Sequence, residues 1–143
     1  MENNITLQVG VKVLLKNKEG NYLLIRRSVE KYPEVTTGRW DIVGGRIDPG
    51  TDLFSNLKRE VKEETNLELV GEPTLVAAQD IIPNAERHIV RLTYLGETEG
   101  EIRLDESEND QYRWYPAEEL KNLDDVDAYV KQLLDNGLLL GAS

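Results

Sequence analysis

The chain of 143 residues contains no cysteine, which excludes disulfides, thiolate nucleophiles and zinc–thiolate centres. No apolar run approaches the length of a membrane span. The N-terminal Met1-Glu2-Asn3-Asn4 lacks the charged and apolar regions of a signal peptide, so a cytoplasmic location is the default expectation. Basic residues are in deficit: 17 Lys and Arg stand against 27 Asp and Glu, for a formal charge of -10. Such a surface repels long nucleic acid unless its basic residues are segregated. It also repels free polyphosphate, unless a bound cation reverses the local sign. The length suits one domain with a real core, expected over residues 1–143.

The most constraining stretch is Gly45-Arg46-Ile47-Asp48-Pro49-Gly50, followed by a helical pattern that includes Arg59-Glu60-Val61-Lys62-Glu63-Glu64. Residues three and four apart are neighbours on a helix. Glu60, Glu63 and Glu64 therefore project within an arc of about 100°. Three like charges at that spacing repel unless a cation sits among them, and a hard divalent cation such as Mg2+ takes oxygen ligands of this kind. Leu53, Leu57 and Val61, with Phe54 beside them, form the apolar stripe of the same helix. The carboxylates lie at the shoulder of that stripe, Glu64 nearly on the apolar side. A shoulder position suits the lining of a cleft, but periodicity alone equally allows a solvated acidic face.

The remaining pattern predicts strands over 5–16, 22–27, 39–43, 87–97 and 112–115, with one or two more within 67–82, interrupted near Gly71-Glu72-Pro73. Pro116 suits a helix start. A second amphipathic helix is expected over 124–134, with Val126, Val130, Leu133 and Leu134 inward and Gly137 as its stop. Leu138-Leu139-Leu140 reads as a tail that docks on the body or on a partner. Strands around a central helix and then a terminal helix indicate a layered α/β or α+β domain.

The order Gly45, Thr51, Arg59, Glu60, Val61, Glu63, Glu64, Asn66, Leu67 resembles the Nudix box. The likeness extends outward to Leu23-Leu24-Ile25-Arg26-Arg27 and to Tyr112-Arg113-Trp114, and so covers most of the chain. The resemblance implies an α/β/α sandwich with a mixed β-sheet. It implies Mg2+-dependent hydrolysis, with Mn2+ as a possible substitute, of a diphosphate linkage in a nucleoside diphosphate joined to another group. ADP-ribose-like compounds, nucleotide sugars and nucleoside triphosphates are the substrates expected of it. The expected partner is thus a small nucleotide, taken by a monomer or homodimer. The resemblance makes Glu60 and Glu64 the principal metal ligands, Glu63 a further ligand or a shaper of the site, and the Gly45 carbonyl an additional ligand.

Two positions depart from the pattern. Thr51 stands where the family has a Glu that braces the box Arg, which leaves Arg59 without its usual partner. Asn66 stands where the family has Gly, at a helix end needing a left-handed residue, and Asn is the usual second choice there. The isoprenoid diphosphate isomerase branch of the superfamily relies on a catalytic Cys, which this chain lacks. A catalytically weak nucleotide-sensing domain remains the alternative, with Thr51 its one hint.

In the family a further acid often comes from a loop ahead of a strand carrying Trp. Glu108 has the expected spacing from Trp114, with Glu106 and Asp110 as competitors and a solvated acidic loop as the plain alternative. Arg27 ends a strand in a pattern similar to the family's Leu-Leu-x-x-Arg. It can hold a substrate phosphate by a charge-assisted fork or serve in a surface ion pair. His88, the sole histidine, faces either the cleft, where it would touch substrate, or a structural neighbour. Trp40 reads as core rather than as a stacking platform.

Overall fold

The computed structural model describes residues 4–140; residues 1–3 of the stretch read for a targeting signal lie outside them. The elements are β1 (Thr6–Lys16), β2 (Tyr22–Arg27), β3 (Trp40–Asp41), β4 (Val43–Arg46), α1 (Leu53–Thr65), β5 (Glu68–Asn84), β6 (Arg87–Glu99), β7 (Asn109–Tyr115), α2 (Ala117–Lys121) and α3 (Ala128–Asp135). One mixed sheet runs β3-β2-β1-β6-β5, with β4 paired to β1 and β7 to β2. Strands β1 and β6 are parallel, from Thr6↔Arg87 to Lys16↔Glu97; the other pairings are antiparallel.

Strand β1 is central and apolar on both faces, as a doubly covered strand must be. Val11, Val13 and Leu15 join Leu57, Val61 and Leu67 in one core. Leu14, from the opposite face, joins Ile42, Val126, Val130, Leu133 and Leu134 in a second core. The sheet thus lies between α1 and the C-terminal helices, the α/β/α arrangement. Leu139 is buried in the second core and Leu140 packs against it, so the Leu tail docks on the body, although Leu138 is half-exposed.

Helix α1 starts where Asp52 caps it, its side chain accepting from the Ser55 N–H at 2.7 Å. It ends at Asn66, whose φ of 66° is left-handed, with its N–H closing on the Lys62 carbonyl. Its inner face differs from the expected stripe. Leu57 and Val61 are buried, but Leu53 and Phe54 are exposed, and Asn56 and Thr65 take inward places. The reason for Asn56 is local. Its amide donates to the Thr51 and Asp52 carbonyls and accepts from the Asp48 N–H and from Arg59, so it ties the glycine turn to the helix start.

Strand β5 is continuous through Gly71-Glu72-Pro73. The interruption foreseen there is a register shift between Val70 and Thr74 rather than a break. The terminal helix is shorter than expected because Asp127 caps it, accepting from Tyr129 and Val130. Trp40 packs edge-on against Tyr115 beside the second core, as a core residue.

Candidate active site

A cleft of about 1000 Å³ opens along the edge where β1, β4 and α1 meet. Glycines set its shape. A Cβ on Gly44 (φ 149°) would stand 2.0 Å from the Val11 carbonyl, so β4 can approach β1 only without one. A Cβ on Gly45 would stand 2.8 Å from the Glu60 carboxylate; the glycine leaves the space in which that carboxylate sits.

The three box carboxylates are not equivalent. Glu60 is nearly covered, and its Oε1 accepts from Arg59 Nη2 at 3.0 Å. Glu63 is exposed at the rim, 3.9 Å from Arg59 Nε. Glu64 lies deepest and accepts from the Gly44 N–H. Burial pushes its pKa up to about 8, with Lys12 opposing the shift and Glu60 and Asp41 adding to it. A carboxylate so placed is short of positive charge.

Glu60 and Glu64 beside the Gly44–Gly45 backbone fit a divalent cation by donor chemistry and by the space at Gly45. Among the described residues, no group of three His, Cys, Asp or Glu side chains is placed to hold a metal ion by itself.

Arg59 has found another brace. Thr51 is exposed, and Asp48 takes Arg59 Nη1 at 2.5 Å while the Asn56 side chain accepts from the same nitrogen at 2.9 Å. The partner missing at Thr51 is thus supplied three residues earlier in the chain.

Opposite the carboxylates the cleft is cationic. Lys12 Nζ lies 3.2 Å from Asp41 Oδ2 and 3.2 Å from the Ile42 carbonyl. Arg91 is buried, with Nη2 on Asp41 and Nη1 on Asp127, each at 3.1 Å. Arg27 lines the cleft, with Nη2 3.8 Å from Asp41. Arg46 and Arg87 line it without a carboxylate partner among the described residues. Burial alone would raise the Asp41 pKa, but Lys12, Arg91, Arg27 and the Ile42 N–H outweigh it and hold it at about 2.

Sequence reasoning missed Lys12, Asp41, Arg91 and Asp127. The signal was present for two of them: Lys12 and Arg91 each interrupt an apolar strand, and a charge there must find a buried partner.

The loop acids separate. Glu108 lines the cleft beside Tyr32 and Asn109. Asp110 does not; it is held by Arg26 Nε at 2.7 Å and by the Val29 N–H. Glu106 lines a separate groove with Asp110.

His88 is a correction. On β6 it is Arg87, Ile89 and Arg91 that face the cleft, so alternation turns His88 to the other side. There its Nε2 meets Asp80 Oδ1 at 2.7 Å. His88 is therefore not a cleft residue, and its neighbour Arg87 is.

An acidic helix and a glycine turn thus face a cation-lined cleft within an α/β/α sandwich. Residues 6–136 match the NUDIX domain, and the chain belongs to that family, the Nudix hydrolases. It is 29% identical over 139 residues to nucleoside triphosphatase NudI of Klebsiella pneumoniae (strain 342), covering 88% of this chain and 94% of that protein. The fold resembles the MutT protein from Methanosarcina mazei Go1, with TM-score 0.77 and 24% identity over 94% of this chain and 95% of that one. It also resembles the MutT NUDIX hydrolase from Burkholderia pseudomallei, with TM-score 0.74 and 24% identity over 91% and 97% of the two chains. Among the described residues no helix is long and apolar enough to cross a membrane.

Proposed function

We propose that the cleft catalyses Mg2+-dependent hydrolysis of a phosphoanhydride in a nucleoside triphosphate or a related nucleoside diphosphate derivative. The observation that carries this reading is the meeting of Glu60, Glu64 and the Gly44–Gly45 backbone in one cleft with Arg46 and Arg87, which have no carboxylate partner among the described residues. Likeness to a nucleoside triphosphatase along nearly its whole length makes triphosphates the first substrates to assay. ADP-ribose-like compounds and nucleotide sugars follow.

Glu60 and Glu64, with the Gly45 carbonyl and with Glu63 at the rim, would hold the cation. When bound, it supplies charge neutralisation for the phosphates and a more acidic water. The side chains do the rest. Arg46 and Arg87 orient the polyphosphate, and Arg27 forks onto one phosphoryl group. Glu108 accepts a hydrogen bond from the attacking water and aims it. The water oxygen bonds to phosphorus, the bridging P–O bond breaks, and the water proton passes to a carboxylate oxygen. Mn2+ is expected to substitute for Mg2+. A cytoplasmic location, a monomer or homodimer and a single domain over 1–143 belong to the same reading.

The test is a panel of nucleoside triphosphates, nucleotide sugars and ADP-ribose-like compounds with Mg2+, Mn2+ or chelator. Phosphate, pyrophosphate and nucleoside monophosphate release are scored. Metal-dependent turnover abolished by Glu64→Gln is expected. Nucleotide binding with no turnover on any member would favour the sensing alternative.

A further inference from the structure

Tyr32 and Glu108 are far apart in sequence, yet Tyr32 OH donates to Glu108 Oε2 at 2.5 Å. Lys31 Nζ takes the other oxygen, Oε1. The two segments are laced along their length. The Ser28 N–H donates to the Glu108 carbonyl at 2.9 Å, and the Val29 N–H to Asp110 Oδ2 at 3.0 Å. The Tyr32 N–H closes back on the Ser28 carbonyl at 2.9 Å, and Ser28 itself is buried. Loop 28–32 and the start of β7 therefore form one unit, and the Glu108 side chain is fixed by that unit.

The two donors differ. Lys31 is a flexible, half-exposed side chain that does not line the cleft, whereas Tyr32 lines it together with Glu108 and Arg27. The Arg27 guanidinium stands 6.0 Å and the Lys31 ammonium 5.5 Å from the Tyr32 ring centroid, so two cations lie near the phenol whose hydroxyl bonds the cleft acid. A carboxylate has about four acceptor sites. Two donors, one on each oxygen, leave roughly two sites free.

Resting on the reading of Glu108 as an acid that acts in the cleft, we infer that Tyr32 is a positioning residue for Glu108: its hydroxyl orients the carboxylate toward the reacting water. Lys31 and Tyr32 also hold the Glu108 carboxyl below its ordinary range.

The experiment is a double-mutant cycle on one cleaved nucleotide with saturating Mg2+, using Tyr32→Phe, Glu108→Gln and both together. Melting curves confirm that each is folded. Tyr32→Phe keeps the ring and removes only the hydroxyl. It should lower kcat by roughly 5- to 50-fold with KM within about twofold, the signature of an interaction used in the chemical step. The double variant should fall no further than Glu108→Gln alone, because effects routed through one residue do not add. A Tyr32→Phe enzyme with wild-type kcat, or one whose loss multiplies with that of Glu108→Gln, overturns the inference while leaving the Glu108 reading intact. A raised KM at unchanged kcat also overturns it, by making Tyr32 a substrate contact. If Glu108→Gln itself turns over normally, the Glu108 reading and the inference fall together.

Discussion

Asp48 and Arg59 meet across the glycine turn at 2.5 Å, so the brace missing at Thr51 is rebuilt from the turn itself. The pair is partly solvated, and exposed pairs contribute little stability. Its role is to hold the guanidinium that also touches Glu60. Asp48→Asn should therefore leave the unfolding free energy nearly unchanged, within about 0.5 kcal/mol. It should lower kcat/KM by roughly 5- to 20-fold as Arg59 swings away from its place. Thr51→Glu should be tolerated, since Thr51 is exposed and Arg59 is already engaged. A clear loss of stability in Thr51→Glu would show that the turn has adapted to a short side chain.

Glu64→Gln should lower turnover by at least about 100-fold at saturating Mg2+, because loss of an anionic ligand removes charge stabilisation worth several kcal/mol. The fold should survive, since a neutral amide is easier to bury than a carboxylate. Near-normal turnover would remove Glu64 from the proposed ligands.

Gly45→Ala isolates geometry from charge. The added methyl would occupy the space of the Glu60 carboxylate at 2.8 Å, and the backbone there needs no left-handed conformation. The expected result is a rise in the Mg2+ concentration for half-maximal activity of roughly tenfold or more, the size of effect a displaced ligand gives. Unchanged Mg2+ dependence would mean that Glu60 is not held against this turn for metal binding.

Asp41 gives the acid sensitivity. Its folded value of about 2 lies below the ordinary 3.8, so ionised Asp41 stabilises the fold. That contribution is fully present above about pH 4 and is lost as pH falls toward 2; its size is on the order of 2 kcal/mol. Asp41→Asn should cost about 3 kcal/mol at pH 7, since Arg91 and Lys12 lose their shared partner. The gap to wild type should narrow as the pH drops from 4 to 2, as followed by denaturant melts. A gap that stays constant over that window would exclude the buried network as the source.

Neighbouring positions on β6 should behave in opposite ways. His88→Gln should leave kcat/KM within about twofold, as expected of a residue away from the reacting groups. Arg87→Gln should raise KM for a triphosphate by roughly tenfold, in line with a lost charge-assisted contact. Steady-state kinetics of the two variants decides the assignment, and the reverse ranking would place His88 in the cleft.

His88, whose two faces the pattern leaves open, shows where sequence stops being informative. Strand content was legible at 87–97, but a strand's face is set by its register against a distant partner, and a step of one residue exchanges the faces. Helix α1 and its left-handed end at Asn66 follow local chemistry and were readable. So was the projection of Glu60, Glu63 and Glu64 toward one cleft. The burial of Asn56 was not, because its partners are turn carbonyls and an N–H whose positions depend on the folded glycine turn. Nor could the convergence of Lys12, Asp41, Arg91 and Asp127 be read. Four separate segments bring it about: the pairing of β1 with β6 places Lys12 and Arg91, strand β3 places Asp41, and the cap of α3 places Asp127.

That parallel pairing has a kinetic consequence. Thr6 and Arg87 lie at opposite ends of more than half the chain, so joining them closes a long loop before any contact compensates for it. The β1–β2 turn and α1 are built from near neighbours and can form early. Arg91 meets Asp41 and Asp127 from the strand that this closure brings in. The cleft floor is thus expected to assemble late. During refolding, recovery of activity should lag behind recovery of helix signal, and a chain stalled before the closure would carry its acidic helix without the cations that face it.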